Sequence, residues 1–173
     1  MSELSAVVDE LERVAREAGG LALSGWRVGT RVHKKGEIDL VTEFDLASEA
    51  LIMKELAQSL PQVTLVGEEA GAARTLPPPG GLAVYIDPID GTTNFAHGHP
   101  FFAVSLGLCR DGVPLAGVIF APALDTPWRG VVGEGATRNG EPCRVSERAE
   151  TLKDALCATG FGYDVVGGKD DNI

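Results

Sequence analysis

Two aspartates three positions apart, Asp87 and Asp90, lie in the run Tyr85-Ile86-Asp87-Pro88-Ile89-Asp90-Gly91-Thr92-Thr93-Asn94-Phe95. A carboxylate pair followed at once by hydroxyls and backbone N–H groups in a glycine turn has the donor set of a hard-cation site beside an anion site. The chemistry this points to is a divalent cation bridging to a phosphate. Val84 to Ile86 is apolar and β-prone, so the first acid leaves the C-terminal end of a buried strand. Pro88 fixes the backbone between the acids, and Gly91-Thr92-Thr93 permits a tight turn into a short helix. An ordinary turn also uses Asp and Gly. It has no need of the second Asp, the paired threonines and Asn94 directly after a buried strand.

The elements upstream supply a matching junction. Val63 to Val66 reads as a short strand, and Gly67-Glu68-Glu69 follows it. Adjacent glutamates on a loop are commonly just solvated, but here the strand–Gly–Glu order repeats the strand–Asp order at Asp87. Neighbouring strand ends of this kind can converge on one ion. A first helix, capped by Ser2 or Ser5, runs through Ala15 with Leu4, Val7, Val8, Leu11, Val14 and Ala15 on one face. Gly19-Gly20 weakens its end, although Leu21 to Leu23 can continue it. Val28 to Val32 reads as a strand, and Lys34-Lys35-Gly36-Glu37 as a mobile turn.

Ile38 to Val41 leads into a second helix, for which Thr42 and Asp45 form a capping box. Its core-facing stripe is expected at Leu46, Ala50, Met53, Ala57 and Leu60. The stretch from Ala70 to Gly81, with its proline and glycine runs, is a connecting loop. Phe101 to Leu108, Leu115 to Phe120 and Thr126 to Val132 read as successive strands. Asp111-Gly112 and Asn139-Gly140 mark hairpin turns, the second before Glu141 to Val145. Trp128 and Phe120 read as core or sheet-face residues, Thr151 to Leu156 as a helical turn, and Cys157 to Phe161 as a strand. Two helices followed by hairpin-linked strands specify an α+β class.

Composition narrows the function. The chain has 173 residues, of which 44% are apolar, enough for one real core. It has no apolar run long enough to span a membrane, and no secretory leader is expected, since Met1-Ser2-Glu3-Leu4 is acidic and lacks a basic start. Cys109, Cys143 and Cys157 are odd in number and widely spaced, which reads as free thiols in a reducing cytoplasm rather than a zinc or nucleophile motif. The formal net charge of −10 and pI of about 4.7 argue against direct nucleic-acid binding. The same acidity would repel an anionic substrate unless a bound cation inverted the local field. Much of it also serves solubility.

Asp87-Pro88-Ile89-Asp90-Gly91-Thr92-Thr93-Asn94-Phe95 resembles the signature of the inositol monophosphatase family of Mg-dependent, lithium-sensitive sugar phosphatases. Gly67-Glu68-Glu69, Val41-Thr42-Glu43-Phe44-Asp45, Gly133-Glu134-Gly135-Ala136 and Asn139-Gly140 match the family as well, so the resemblance runs from the first helix to about Gly160. It implies layered helices on a largely antiparallel sheet, and hydrolysis of a small phosphate monoester, foremost inositol monophosphate, by metal-activated water. Glu68, Asp87, Asp90 and the Ile89 carbonyl would hold Mg²⁺. Thr92 with Glu69 would position or deprotonate the water, and Asp45 would be the outer acid of the cluster as well as a cap. The Gly91 and Thr92 N–H groups would receive the phosphate. Lys34 aligns with a lysine near the family's active site, although a solvated loop lysine is an equal reading. His97 and His99 are expected to be structural or exposed, because oxygen ligands suit Mg²⁺ better.

The family continues through a second α/β portion whose Trp-Asp motif completes a second metal site. Trp26 and Trp128 are both followed by arginine here. Residues 1–173 are therefore expected to be the N-terminal, truncated portion of such a domain, with one metal site complete and substrate contacts largely missing. An open apolar sheet face at Val104, Leu106 and Val118 is then expected, favouring the homodimer that relatives form. Rival substrates are 3′-phosphoadenosine nucleotides, fructose bisphosphate and histidinol phosphate. A rival class is a non-catalytic interaction module in a transcription or RNA-processing complex.

Overall fold

The first helix, α1 (Glu3–Val28), does not stop at its paired glycines. In the computed structural model, which describes residues 3–28, 32–34, 40–69, 76–146 and 151–157, it runs unbroken through Gly19 and Gly20. A Cβ on Gly19 would come within 2.6 Å of the Phe120 ring, and one on Gly25 would come within 2.5 Å of the Phe44 ring. Gly19 and Gly25 are thus sites of close approach on the helix's inner face, not terminators. Val8, Leu11, Val14 and Ala15 are fully buried on that face, as the apolar spacing predicts. Val28 ends the helix, so the strand expected from it begins later, at β1 (Val32–Lys34).

β1 pairs antiparallel with β2 (Leu40–Thr42), Lys34 opposite Leu40. The expected turn across residues 35–37 lies outside the described residues. The second helix, α2 (Glu43–Ser59), opens on the predicted capping box: Thr42 N–H donates to Asp45 Oδ2 at 2.8 Å, and Phe44 N–H donates to Thr42 Oγ1 at 3.2 Å. Its predicted stripe holds only at two positions, with Leu60 buried in the core and Met53 packed against it. Leu46 is 55% exposed, and Ala50 and Ala57 also face solvent. The inner face carries Asp45, Ser48, Glu49, Ile52 and Leu56. Two of the three polar residues on this face, Asp45 and Glu49, hydrogen-bond the loops beyond the helix, while the Ser48 hydroxyl is buried without a partner.

The strands β3 (Thr64–Gly67), β4 (Leu82–Asp90), β5 (Ala103–Arg110), β6 (Val113–Ala121), β7 (Thr126–Val131), β8 (Gly135–Arg138) and β9 (Glu141–Cys143) form one sheet in sequence order. Every neighbouring pair is antiparallel except β3 and β4, which run parallel with Gly67 opposite Ile86. A short helix, α3 (Thr92–Ala96), sits between β4 and β5. Both predicted hairpin turns form: Asp111-Gly112 and Asn139-Gly140 each take two successive positive φ angles, 51° and 77°, then 52° and 79°. Thr151 to Asp154 makes a turn without a helix, and the strand expected from Cys157 falls mostly outside the described residues.

The helices α1 and α2 cover one face of the sheet. The core between them joins Leu11, Ile52 and Leu56 to Val84, Leu106, Leu108 and Val118. Burying each such side chain contributes roughly 1.5–3 kcal/mol. Val104, Leu106 and Val118, expected on the open face, are therefore buried beneath the helices, at 1–2% exposure. Strand alternation sends their neighbours Ser105, Gly107 and Gly117 to the other side, where Tyr85, Ile119 and Val132 are the exposed large residues. Expecting the larger residues on the open side inverted the register's parity. The α+β class, with helices layered on a largely antiparallel sheet, stands. No helix among the described residues is long and apolar enough to cross a membrane, and the three cysteines are unpaired.

Candidate active site

The parallel pairing of β3 and β4 puts two strand ends side by side. Glu68 N–H donates to Ile86 O at 3.1 Å, so the residue after Gly67 lies against the residue before Asp87. This brings Glu68 and Asp87 together from positions far apart in sequence. Asp87 is half-buried, and its carboxyl is pushed up to about 8. Burial is the main cause, followed by the charges of Glu68 and Asp90 and by a hydrogen bond with Glu68; the Ile89 N–H opposes the shift. Its Oδ1 is buried without a hydrogen-bond partner.

β4 extends through Asp90, farther than expected, with its pairing to β5 broken between Asp87 and Asp90. The irregularity at Pro88-Ile89 turns the second acid out toward solvent. Ile89 itself drives its side chain into a second apolar cluster with Ala22, Phe95 and Phe102. Phe95 meets Phe102 edge-on at 5.0 Å, and Phe44 and Trp26 extend the ring stack. The apolar members of the motif are thus the anchor beneath the acids.

Gly91 adopts φ 88°, a left-handed conformation that favours glycine, and opens α3. A Cβ there would also meet Phe101 O at 3.0 Å. Asn94 Nδ2 donates to that same carbonyl at 2.7 Å, which ties the turn to the chain entering β5. This accounts for the asparagine that a simple turn left unexplained. Thr92 Oγ1 lies 3.1 Å from Asp45 Oδ1 and 3.0 Å from Ile89 O, two acceptors for its single proton. Asp45, 1% exposed, therefore both caps α2 and holds Thr92.

Glu69 N–H donates to Glu49 Oε2 at 2.9 Å. Glu49 was not foreseen from sequence; its signal is its place one turn beyond Asp45 on the same helix face. Lys34 lies in β1, which pairs with the strand that leads into α2; its side chain lies outside what is described. His97 and His99 are exposed, and a His97 ring nitrogen lies 2.8 Å from Thr93 O. A cavity of about 380 Å³ opens beside Asp90 and Gly91, lined also by Asn94, Phe101, Ile119 and Trp128.

Among the described residues, no three acidic, histidine or cysteine side chains are already gathered into a shell that would hold an ion. The donors nevertheless fit a hard divalent cation. Glu68, Asp87 and Asp90 interact electrostatically, all offer oxygen, and Asp87 keeps a desolvated oxygen with nothing to satisfy it. The charges of Glu68 and Asp90 both act on Asp87, and a cation between them would relieve that repulsion.

The sequence model described as the inositol monophosphatase family matches residues 3–173. Inositol monophosphatase 2 of Solanum lycopersicum is 38% identical over 161 residues, covering 90% of this chain and 59% of that protein. The fructose-1,6-bisphosphatase/inositol-1-monophosphatase of Thermotoga maritima is 36% identical, with the same 90% and 59% coverage. The solved inositol monophosphatase of Anabaena (Nostoc) sp. PCC 7120 superposes with a TM-score of 0.84 at 36% identity, covering 99% of this chain and 61% of that one. The chain thus spans about three fifths of the length of these relatives.

Proposed function

The chain belongs to the inositol monophosphatase family, and on that footing we propose that it carries the catalytic strand ends of an Mg²⁺-dependent phosphatase acting on a small phosphate monoester, inositol monophosphate foremost. The observation that carries this reading is the Asp87 carboxyl, raised to about 8 beside Glu68 and Asp90 with a buried oxygen lacking any partner. Such a carboxylate is costly without a cation and useful with one.

Glu68, Asp87, Asp90 and the Ile89 carbonyl would hold Mg²⁺. When bound, the ion supplies an activated water and neutralises phosphate charge. Thr92 orients that water through its hydroxyl, which Asp45 and Ile89 O keep at a set angle. Glu69 stands ready to take the proton, on a turn fixed by its N–H bond to Glu49. The Gly91 and Thr92 N–H groups would receive the phosphate at the left-handed turn that opens α3. With only five residues in α3, these N–H groups matter more than any helix dipole. Lys34 completes the phosphate side in this reading.

The cavity beside Asp90 and Gly91 gives room for the alcohol portion of the ester. The double name of the Thermotoga maritima relative supports fructose bisphosphate as the second substrate to try. The same reading takes the cytoplasm as the setting, in keeping with three unpaired cysteines, and a homodimer as the assembly. The test is Mg²⁺-dependent phosphate release from inositol 1-phosphate, with Asp90→Asn as the blank. Release above that blank supports the assignment. Equal release from both proteins would reject the assignment.

A further inference from the structure

α2 touches both loops of the site from one face. Asp45 reaches Thr92 Oγ1, and Glu49, one helical turn later, reaches the N–H of Glu69. The two carboxylates leave the helix roughly 6 Å apart along its axis. Neither is at the surface: Asp45 is 1% exposed and Glu49 is 9% exposed. Burying a carboxylate is costly unless it is hydrogen-bonded, so both demand a reason. Asp45 has one as the cap of its helix. Glu49 has none in α2 itself, where an apolar residue would extend the stripe of Ile52 and Leu56.

The neighbouring glycine supplies the reason. A Cβ on Gly67 would come within 2.5 Å of the Glu49 carboxyl carbon and 2.8 Å of Oε1. Gly67 has no positive φ that would call for glycine. It is glycine here because the Glu49 carboxylate lies directly under the strand end. That carboxylate props the Gly67-Glu68-Glu69 turn from below and holds its backbone by the Glu69 N–H.

We propose that Glu49 is a positioning residue, which sets the Glu68–Glu69 turn against the Asp87 strand end and makes α2 the common strut of both halves of the site. This rests on the metal-dependent reading above. It extends that reading to a residue that touches neither ion nor substrate. Glu49 acts through the backbone of the turn: it fixes where Glu68 presents its ligand oxygen and where Glu69 presents its base.

Two readouts on the full 173-residue chain test it: Mn²⁺ affinity by electron paramagnetic resonance, and hydrogen exchange of the Glu69 amide without metal. Glu49→Ala should weaken Mn²⁺ binding about 10–100-fold and accelerate exchange at Glu69. Glu49→Gln keeps an acceptor oxygen and should retain most of both. Ile52→Val, a buried change on the same helix, should move neither, which separates positioning from a general loosening of α2. If Glu49→Ala does not fold, Gly67→Ala replaces it, since the new methyl displaces the flexible carboxylate and should give the same losses.

A folded Glu49→Ala or Gly67→Ala protein that keeps both Mn²⁺ affinity and Glu69 protection overturns the proposal. So does Ile52→Val or Glu49→Gln failing as badly as the alanine variant. If the unaltered chain binds no Mn²⁺, the metal-dependent reading falls, and exchange at Glu69 alone still decides the role of Glu49.

Discussion

The two helices on the sheet follow different rules. α1 buries Val8, Leu11, Val14 and Ala15 in an unbroken apolar line and makes room at Gly19 for Phe120. α2 buries Asp45, Ser48 and Glu49 before it reaches Ile52 and Leu56, and leaves Leu46 in solvent. The first helix answers only to apolar packing, in the main core and, through Ala22 and Trp26, in the cluster beneath the acids. In the second, the first two turns answer to the strand-end loops, and only the later turns to the core. A helix that positions chemistry thus breaks the pattern that burial alone would write.

The contrast can be broken or sharpened by substitution, measured as chemical unfolding. Ile52→Ala should cost most, about 2–5 kcal/mol, as a core truncation in the scaffold half of α2. Gly19→Ala comes next, at about 1–3 kcal/mol, because the Phe120 ring must move to admit the methyl. Leu46→Ala should cost least, within about 0.5 kcal/mol, because that side chain is exposed. A Leu46→Ala loss as large as that of Ile52→Ala would mean that α2 presents its apolar stripe inward after all.

Much of this was legible in the sequence, for identifiable reasons. The capping box at Thr42 and Asp45, the two Gly-containing hairpins and the acid-bearing strands each depend on a few adjacent residues, and each formed, although β4 runs on past Asp87 to Asp90. The inner face of α2 was not legible. Asp45 and Glu49 find their partners, Thr92 and Glu69, 47 and 20 positions away. Periodicity counts apolar residues and has no means of seeing such bonds. The sheet parity failed for a related reason. β5 alternates large residues with Ser105, Gly107 and Cys109, and either face could have been read as the covered one until the helices were placed. Gly19 misled because a breaker and a close contact look alike without the ring that fills the gap.

The central claim is that the Asp87 cluster is built around a cation. Its folded carboxyl, at about 8 against an ordinary 3.8, binds an extra proton between those pH values. That group's contribution to stability therefore falls as pH rises through this window and levels off above it. The most direct measurement is thermal unfolding of the chain and of Asp87→Asn at about pH 5 and about pH 9, with and without Mg²⁺. Without metal at the higher pH, the variant should melt above the unaltered chain, since it removes a repelled, desolvated charge. At the lower pH the gap should narrow. Saturating Mg²⁺ should raise the unaltered chain, by about 2.7 kcal/mol at a hundredfold excess over the dissociation constant, and leave the variant where it was. A melting temperature of the unaltered chain that ignores Mg²⁺, or a metal-free variant that melts lower at both pH values, would contradict the account.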